Sequence, residues 1–191
     1  MALRRFISII SAMRFTDKNY TSFLDRFHYV RQMINNFSEN YLENYTPSWL
    51  SCLDESMNSF LEKLCPGFMS VPCKPHLPGN KYHSIAYVDE GYTMMCQIKI
   101  QEGKDRPKDA NGKWALPSNF EGENPNTGRK YTETSRLICE MTVPLHGTGK
   151  IVSMESGFCV TVGILHLHKH GVYWQLLIKK RKYWPKGCLG A

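Results

Sequence analysis

Two β-prone runs, Tyr82 to Val88 and Thr93 to Ile100, flank the residues Asp89-Glu90-Gly91-Tyr92. This pattern constrains the fold more than any other stretch of the chain. The runs have the residue types of strands, and the glycine between them is available for the positive φ that a tight hairpin turn demands. Three further runs read as strands to be placed around that hairpin. Trp49 to Leu53 and Lys150 to Met154 are short and largely apolar, and Val172 to Ile178 is a third. The first two each end at an acid, Asp54 and Glu155, so two carboxylates far apart in sequence converge if those strands are neighbours.

Elsewhere the apolar spacing is helical. Leu3, Phe6, Ile7, Ile10 and Met13 share one face over Leu3 to Phe15, and Phe23, Phe27, Val30, Ile34 and Phe37 do so over Ser22 to Tyr41. Tyr45-Thr46-Pro47-Ser48 closes this region, because the residue before a proline is pushed out of the helical basin. Met57 to Leu64 reads as a short helical or irregular segment stopped by Cys65-Pro66-Gly67. Thr132 to Val143 and Val160 to His170 read as two more helices. Residues 101 to 129, with Pro107, Pro117, Pro125 and several glycines, read as a long loop or insertion. They are not a domain linker, since too few residues lie on either side for two cores. Helices, strand, hairpin, helix, strand, helix, strand is the order of an α/β layer with a mixed sheet.

Composition bounds what such a layer does. With 191 residues, 42% hydrophobic and 21% charged, the chain supports one core and disorder is not its default state. A formal net charge of +7 suits an anionic partner, either nucleic acid or an acidic membrane surface, and equally a mildly basic soluble protein. The seven cysteines form no C-x-x-C pair, so no zinc knuckle or redox motif is signalled and they read as reduced intracellular thiols. The apolar run after Arg4-Arg5 is too brief for a signal peptide and lacks a cleavage site. No segment approaches the roughly 18 apolar residues of a membrane span. Gly147-Thr148-Gly149-Lys150 precedes a strand and is followed by Ile151, so it is not a phosphate loop. His166, His168 and His170 have no cysteine or carboxylate completing a metal-ligand spacing, and read as surface histidines.

Several motifs together resemble one family. Tyr45-Thr46-Pro47-Ser48-Trp49-Leu50-Ser51-Cys52-Leu53-Asp54-Glu55 is similar to the piggyBac transposase pattern of a tyrosine-threonine-proline turn, a strand and an Asp-Glu pair. Lys74-Pro75 and the hairpin tipped by Asp89-Glu90-Gly91 resemble its next two strands. Leu145-His146-Gly147-Thr148-Gly149-Lys150, the strand to Glu155, and Phe158 resemble its glycine-containing lead into a strand that ends in an acid. Leu165 to Lys182 is similar to the following helix, strand and basic exit, and Arg4 to Phe15 to the helix before the catalytic core. The resemblance covers most of the chain apart from much of residues 101 to 135.

It implies a ribonuclease-H-like mixed sheet: an N-terminal helical region at 1–44, a partial catalytic domain at 45–182 and a tail at 183–191. The chemistry it implies needs three carboxylates holding two divalent ions, Mg²⁺ or Mn²⁺, one activating the attacking oxygen and one stabilising the leaving oxygen. Asp54 occupies the first acid position; read without the family, it is a turn or helix-capping residue. Glu155 stands where the family carries aspartate. Its extra methylene shifts the carboxylate by about 1 Å, an error that costs on the order of 100-fold in rate. The third acid belongs downstream of the last strand, in a stretch absent from this sequence, and Asp89 reads as a turn residue rather than a substitute. The expectation is a truncated, inactive remnant of a cut-and-paste DNA transposase. The alternatives are a DNA-binding module and a metal-dependent subunit completed by another chain.

The implied partner is DNA, with no membrane or small-molecule substrate, and the implied compartment is the nucleus. Lys179, Lys180, Arg181, Lys182 and Lys186, interleaved with Tyr183 and Trp184, are the expected DNA contacts, since cations neutralise phosphates and rings stack on bases. They equally fit a nuclear-import signal or a solvated strand end. A sheet that ends at its fourth or fifth strand leaves an edge uncovered, from which self-association is expected.

Overall fold

A computed structural model describes residues 2–13, 25–60, 62–71, 78–113, 119–120, 122–125 and 128–178. Its centre is the hairpin. Strands β3 (Gly79–Asp89) and β4 (Tyr92–Ile100) pair antiparallel from Tyr82 opposite Ile100 to Asp89 opposite Tyr92. The turn between them holds two residues, both left-handed: Glu90 at φ 47° and Gly91 at φ 84°. Such a turn twists the way the strands do, which is why a two-residue connection suffices.

The other edge of β3 pairs antiparallel with β1 (Leu50–Ser59), from Cys52 opposite Ala86 to Ser59 opposite Gly79. This ladder corrects two expectations. β1 runs through Asp54 instead of ending at it, and Met57 to Ser59 are strand rather than a helical segment. Backbone pairing along β3 recruits the polar stretch Asp54 to Ser59, whatever its own propensity. Glycine is required where the two strands meet: a Cβ on Gly79 would lie 2.1 Å from the carbonyl oxygen of Asn58. The two-residue strand β2 (Phe68–Met69) pairs with Asn80 and Gly79 at the start of β3.

β1 also pairs, in parallel, with β5 (Ile151–Met154), and β5 pairs in parallel with β6 (Tyr173–Leu176). The sheet order is β2-β3-β1-β5-β6, with β4 also on β3, so the sheet is mixed as expected. Leu53 and Ile85 sit opposite each other, as do Leu53 and Met154, so these side chains share one face of the sheet. On that face Leu53, Ile85, Val152 and Met154 join Ile138 and Met141 of α3 (Glu133–Thr142) and Leu167 of α4 (Thr161–Lys169) in one buried cluster. Gly163 allows α4 to lie close on α3, since a Cβ there would come 2.8 Å from Ile138 Cδ1. Thr132 caps α3 reciprocally with Ser135, which starts the helix where the sequence places it.

Helix α2 (His28–Asn44) packs on β4 and adds Tyr41, whose hydroxyl bonds that of Tyr87. Asp25, buried before α2, accepts hydrogen bonds from Arg31 and from the Phe27 backbone N–H. The loop after β4 is anchored by Asp105, which pairs with Arg26 and accepts from Gly67 N–H at 2.9 Å. Helix α1 (Leu3–Ala12) has the apolar stripe read from its spacing, yet Leu3, Phe6, Ile7 and Ile10 are all exposed.

Candidate functional site

The parallel ladder between β1 and β5 ends with Leu53 opposite Met154. Asp54 and Glu155 each follow one of those residues, so they stand side by side where the ladder stops. Because side chains alternate along a strand, Asp54 and Cys52 lie on the face opposite buried Leu53. Glu155 is extended and exposed, and begins a single helical turn, Ser156–Phe158. The thiol of Cys52 registers both acids: burial pushes its pKa up first, and the charges of Asp54 and Glu155 push it further. Asp54 Oδ1 accepts a hydrogen bond from the N–H of Glu55 at 2.7 Å.

Glu155 also lines a pocket of about 300 Å³, whose walls include Glu55, Lys81, His83, Glu133 and Phe158. Asp54 is not among its walls. Glu55 forms an ion pair with Lys81, and Glu133 accepts a hydrogen bond from the Gln101 amide at 2.6 Å. His83 is buried edge-on to Phe158, and among the described residues its Nδ1 has no hydrogen-bond partner. Burial above all, then the charge of Lys81, holds its pKa down to about 4, so the ring is neutral at pH 7.

The two expected acids are thus brought together, but among the described residues no complete ion-binding set surrounds them. Among the described residues, neither Asp54 nor Glu155 belongs to a group of three or more histidine, cysteine or acidic side chains whose ligand atoms lie within 4.8 Å of one another. The described donors therefore do not fit a centre for two divalent ions. The expected DNA contacts Lys179, Lys180, Arg181, Lys182 and Lys186 lie outside the described residues, as does Lys74.

A second cluster contradicts its sequence reading. His166 is buried, not on the surface, and stands with half-buried His146 and His170. Their ring centroids are 4.1 to 5.1 Å apart. The helical spacing of His166 and His170 is visible in the sequence. His146 joins them only because the loop before β5 folds back, with Gly147 N–H bonding His170 O at 2.7 Å.

The family described as Transposase IS4 matches residues 1–189. Among solved structures, a cryo-EM structure of a piggyBac transposase synaptic complex with hairpin DNA matches with a TM-score of 0.66. It is 22% identical in sequence, and the match covers 97% of this chain and 35% of that chain. A likeness at that identity establishes a shared fold, and the ribonuclease-H-like mixed sheet implied by the motifs is the one observed. No curated protein matches the chain.

Proposed function

The chain belongs to the Transposase IS4 family, and on that premise we propose that it is a transposase-derived domain that does not cleave DNA by itself. One observation carries this reading: the pairing of Leu53 with Met154 sets Asp54 beside Glu155, and among the described residues no third ligand joins them. Two adjacent carboxylates polarise an ion-binding position, whereas phosphoryl transfer through two ions needs donors on both the attacking and the leaving side. Glu155 adds a misplacement of about 1 Å relative to an aspartate. Incubation with a labelled DNA end in Mg²⁺ or Mn²⁺ is expected to give no nicking by wild type or by Glu155→Asp. Nicking by wild type that disappears in Asp54→Ala overturns the reading and favours an active subunit.

A second reading, a DNA-binding module acting in the nucleus, is supported by the net charge of +7. In this reading Lys179, Lys180, Arg181, Lys182 and Lys186 neutralise backbone phosphates. Affinity then falls as salt rises, and replacing residues 179 to 182 by glutamine lowers the salt slope by about 3 to 4. Binding that does not change with salt, or none at low ionic strength, removes this reading.

A further inference from the structure

We propose that His146, His166 and His170 form a binding site for a divalent transition metal, with Zn²⁺ the ion it suits best. The site is separate from the acid pair and does not depend on how that pair is read. One ring nitrogen from each histidine lies within 4.8 Å of the others. Tetrahedral zinc with Zn–N bonds of about 2.0–2.1 Å sets its nitrogens roughly 3.3 Å apart, so ring rotations of about 1 Å close the set.

The orientation of the rings also fits. His170 Nδ1 lies 2.9 Å from the carbonyl oxygen of His166. A carbonyl only accepts, so the proton sits on Nδ1 and Nε2 is left with a lone pair. That arrangement is how protein metal sites fix the tautomer of a ligating imidazole. The Nε2 atoms of His146 and His166 are buried and, among the described residues, have no hydrogen-bond partner. Buried polar atoms are rarely left unsatisfied, and a coordinated ion would satisfy both. The backbone holds the two halves together: Gly147 N–H bonds His170 O, and Gly149 N–H bonds Gly171 O at 3.1 Å.

Protonation state agrees with ligation. Burial first, then His170, His146 and Lys169, hold His166 at a pKa of about 4; burial and His170 also lower that of His146. Neutral imidazole is the ligating form. Three imidazoles favour zinc, copper or nickel over magnesium or calcium, which prefer oxygen. The fourth zinc position is left to water, as in other sites with three histidine ligands.

The untagged 191-residue chain, stripped with EDTA, is titrated at pH 7.5 with Zn²⁺ by calorimetry and with Co²⁺ by visible absorption. One equivalent per chain, intense tetrahedral Co²⁺ bands and a raised Tm with Zn²⁺ are expected. His146→Ala and His170→Ala, both at half-buried positions, are each expected to weaken binding at least 100-fold. His168→Ala, an exposed neighbour, leaves it unchanged, and a large excess of Mg²⁺ does not compete. The wild-type Co²⁺ spectrum stands as an independent test if a variant loses its fold. Weak octahedral bands, absence of saturable uptake, or a thiolate-to-cobalt band that persists in the histidine variants each overturn the proposal.

Discussion

Strand β5 has a ligand cluster at each end, and the two are built in opposite ways. Beyond its last residue Glu155 stands beside Asp54; ahead of its first, His146 meets His166 and His170. The acids are placed by backbone pairing, which fixes two neighbouring positions regardless of which side chains occupy them. The histidines are placed by packing of a loop against a helix, which selects side chains and brings three together. Strand pairing can therefore preserve the position of an active site without its chemistry. Side-chain packing has no such separation, since losing one ring loses the cluster.

The largest expected effect tests the acid end. Leu53 is fully buried between Ile85 and Met154. Leu53→Ala is expected to cost about 3–5 kcal/mol in urea unfolding, since the cavity adds to the lost burial. A loss under 1 kcal/mol would mean that the β1–β5 contact does not hold the acids in place. Next comes pH, which has a probe at each end: His83 beside Glu155, and His166 in the trio. Both have folded pKa values of about 4, below the unfolded 6.5. Between those limits the unfolded chain binds more protons, so stability falls as pH drops from 6.5 to 4 and is level above. Each ring contributes up to about 3 kcal/mol to that fall. His166→Gln should remove its share, measured as unfolding free energy at pH 4.5 and 7. Saturating Zn²⁺ should steepen the acid loss in wild type but not in that variant.

The smallest effect concerns the half-buried pair Glu55–Lys81. Lys81→Met should change stability by no more than about 1 kcal/mol. It should nevertheless raise the His83 pKa, because the Lys81 charge is one of the causes holding it down. Burial persists, so the value stays below 6.5. Titration of the His83 ring signals by NMR reads this directly, and an unchanged pKa would show that Lys81 does not act on the pocket.

What the sequence made legible follows from how local each cause is. The turn chemistry of Glu90-Gly91 and the cap at Thr132 act within a few residues, and both elements stand where their residues put them. The adjacency of Asp54 and Glu155 could be read because each short apolar run ends at its acid. The continuation of β1 through Asp54 to Ser59 could not, because its cause is the partner strand β3 and not those polar residues. The metal-binding potential of His166 and His170 was hidden for the same reason. Their third partner, His146, arrives through a backbone contact with the end of α4 that no spacing rule encodes. The stripe on α1 shows the converse: helical spacing was plain, while its burial depended on a neighbour that the described residues do not supply.

The pairing of Leu53 with Met154 also bears on the order in which the strands are expected to assemble. The β3–β4 hairpin closes over a two-residue turn, on a scale of about 1–10 μs for such elements. The β1–β5 ladder instead joins residues about 100 positions apart, a closure costing on the order of 4 kcal/mol in chain entropy if nothing between them has formed. Contacts of that range slow folding. Docking of the hairpin on β1 before β5 joins shortens that span, and it is the order the closure cost favours. In that order Asp54 pairs beside β3 before it meets Glu155, and pulse-labelling hydrogen exchange that protects β1 and β5 at the same time would contradict it.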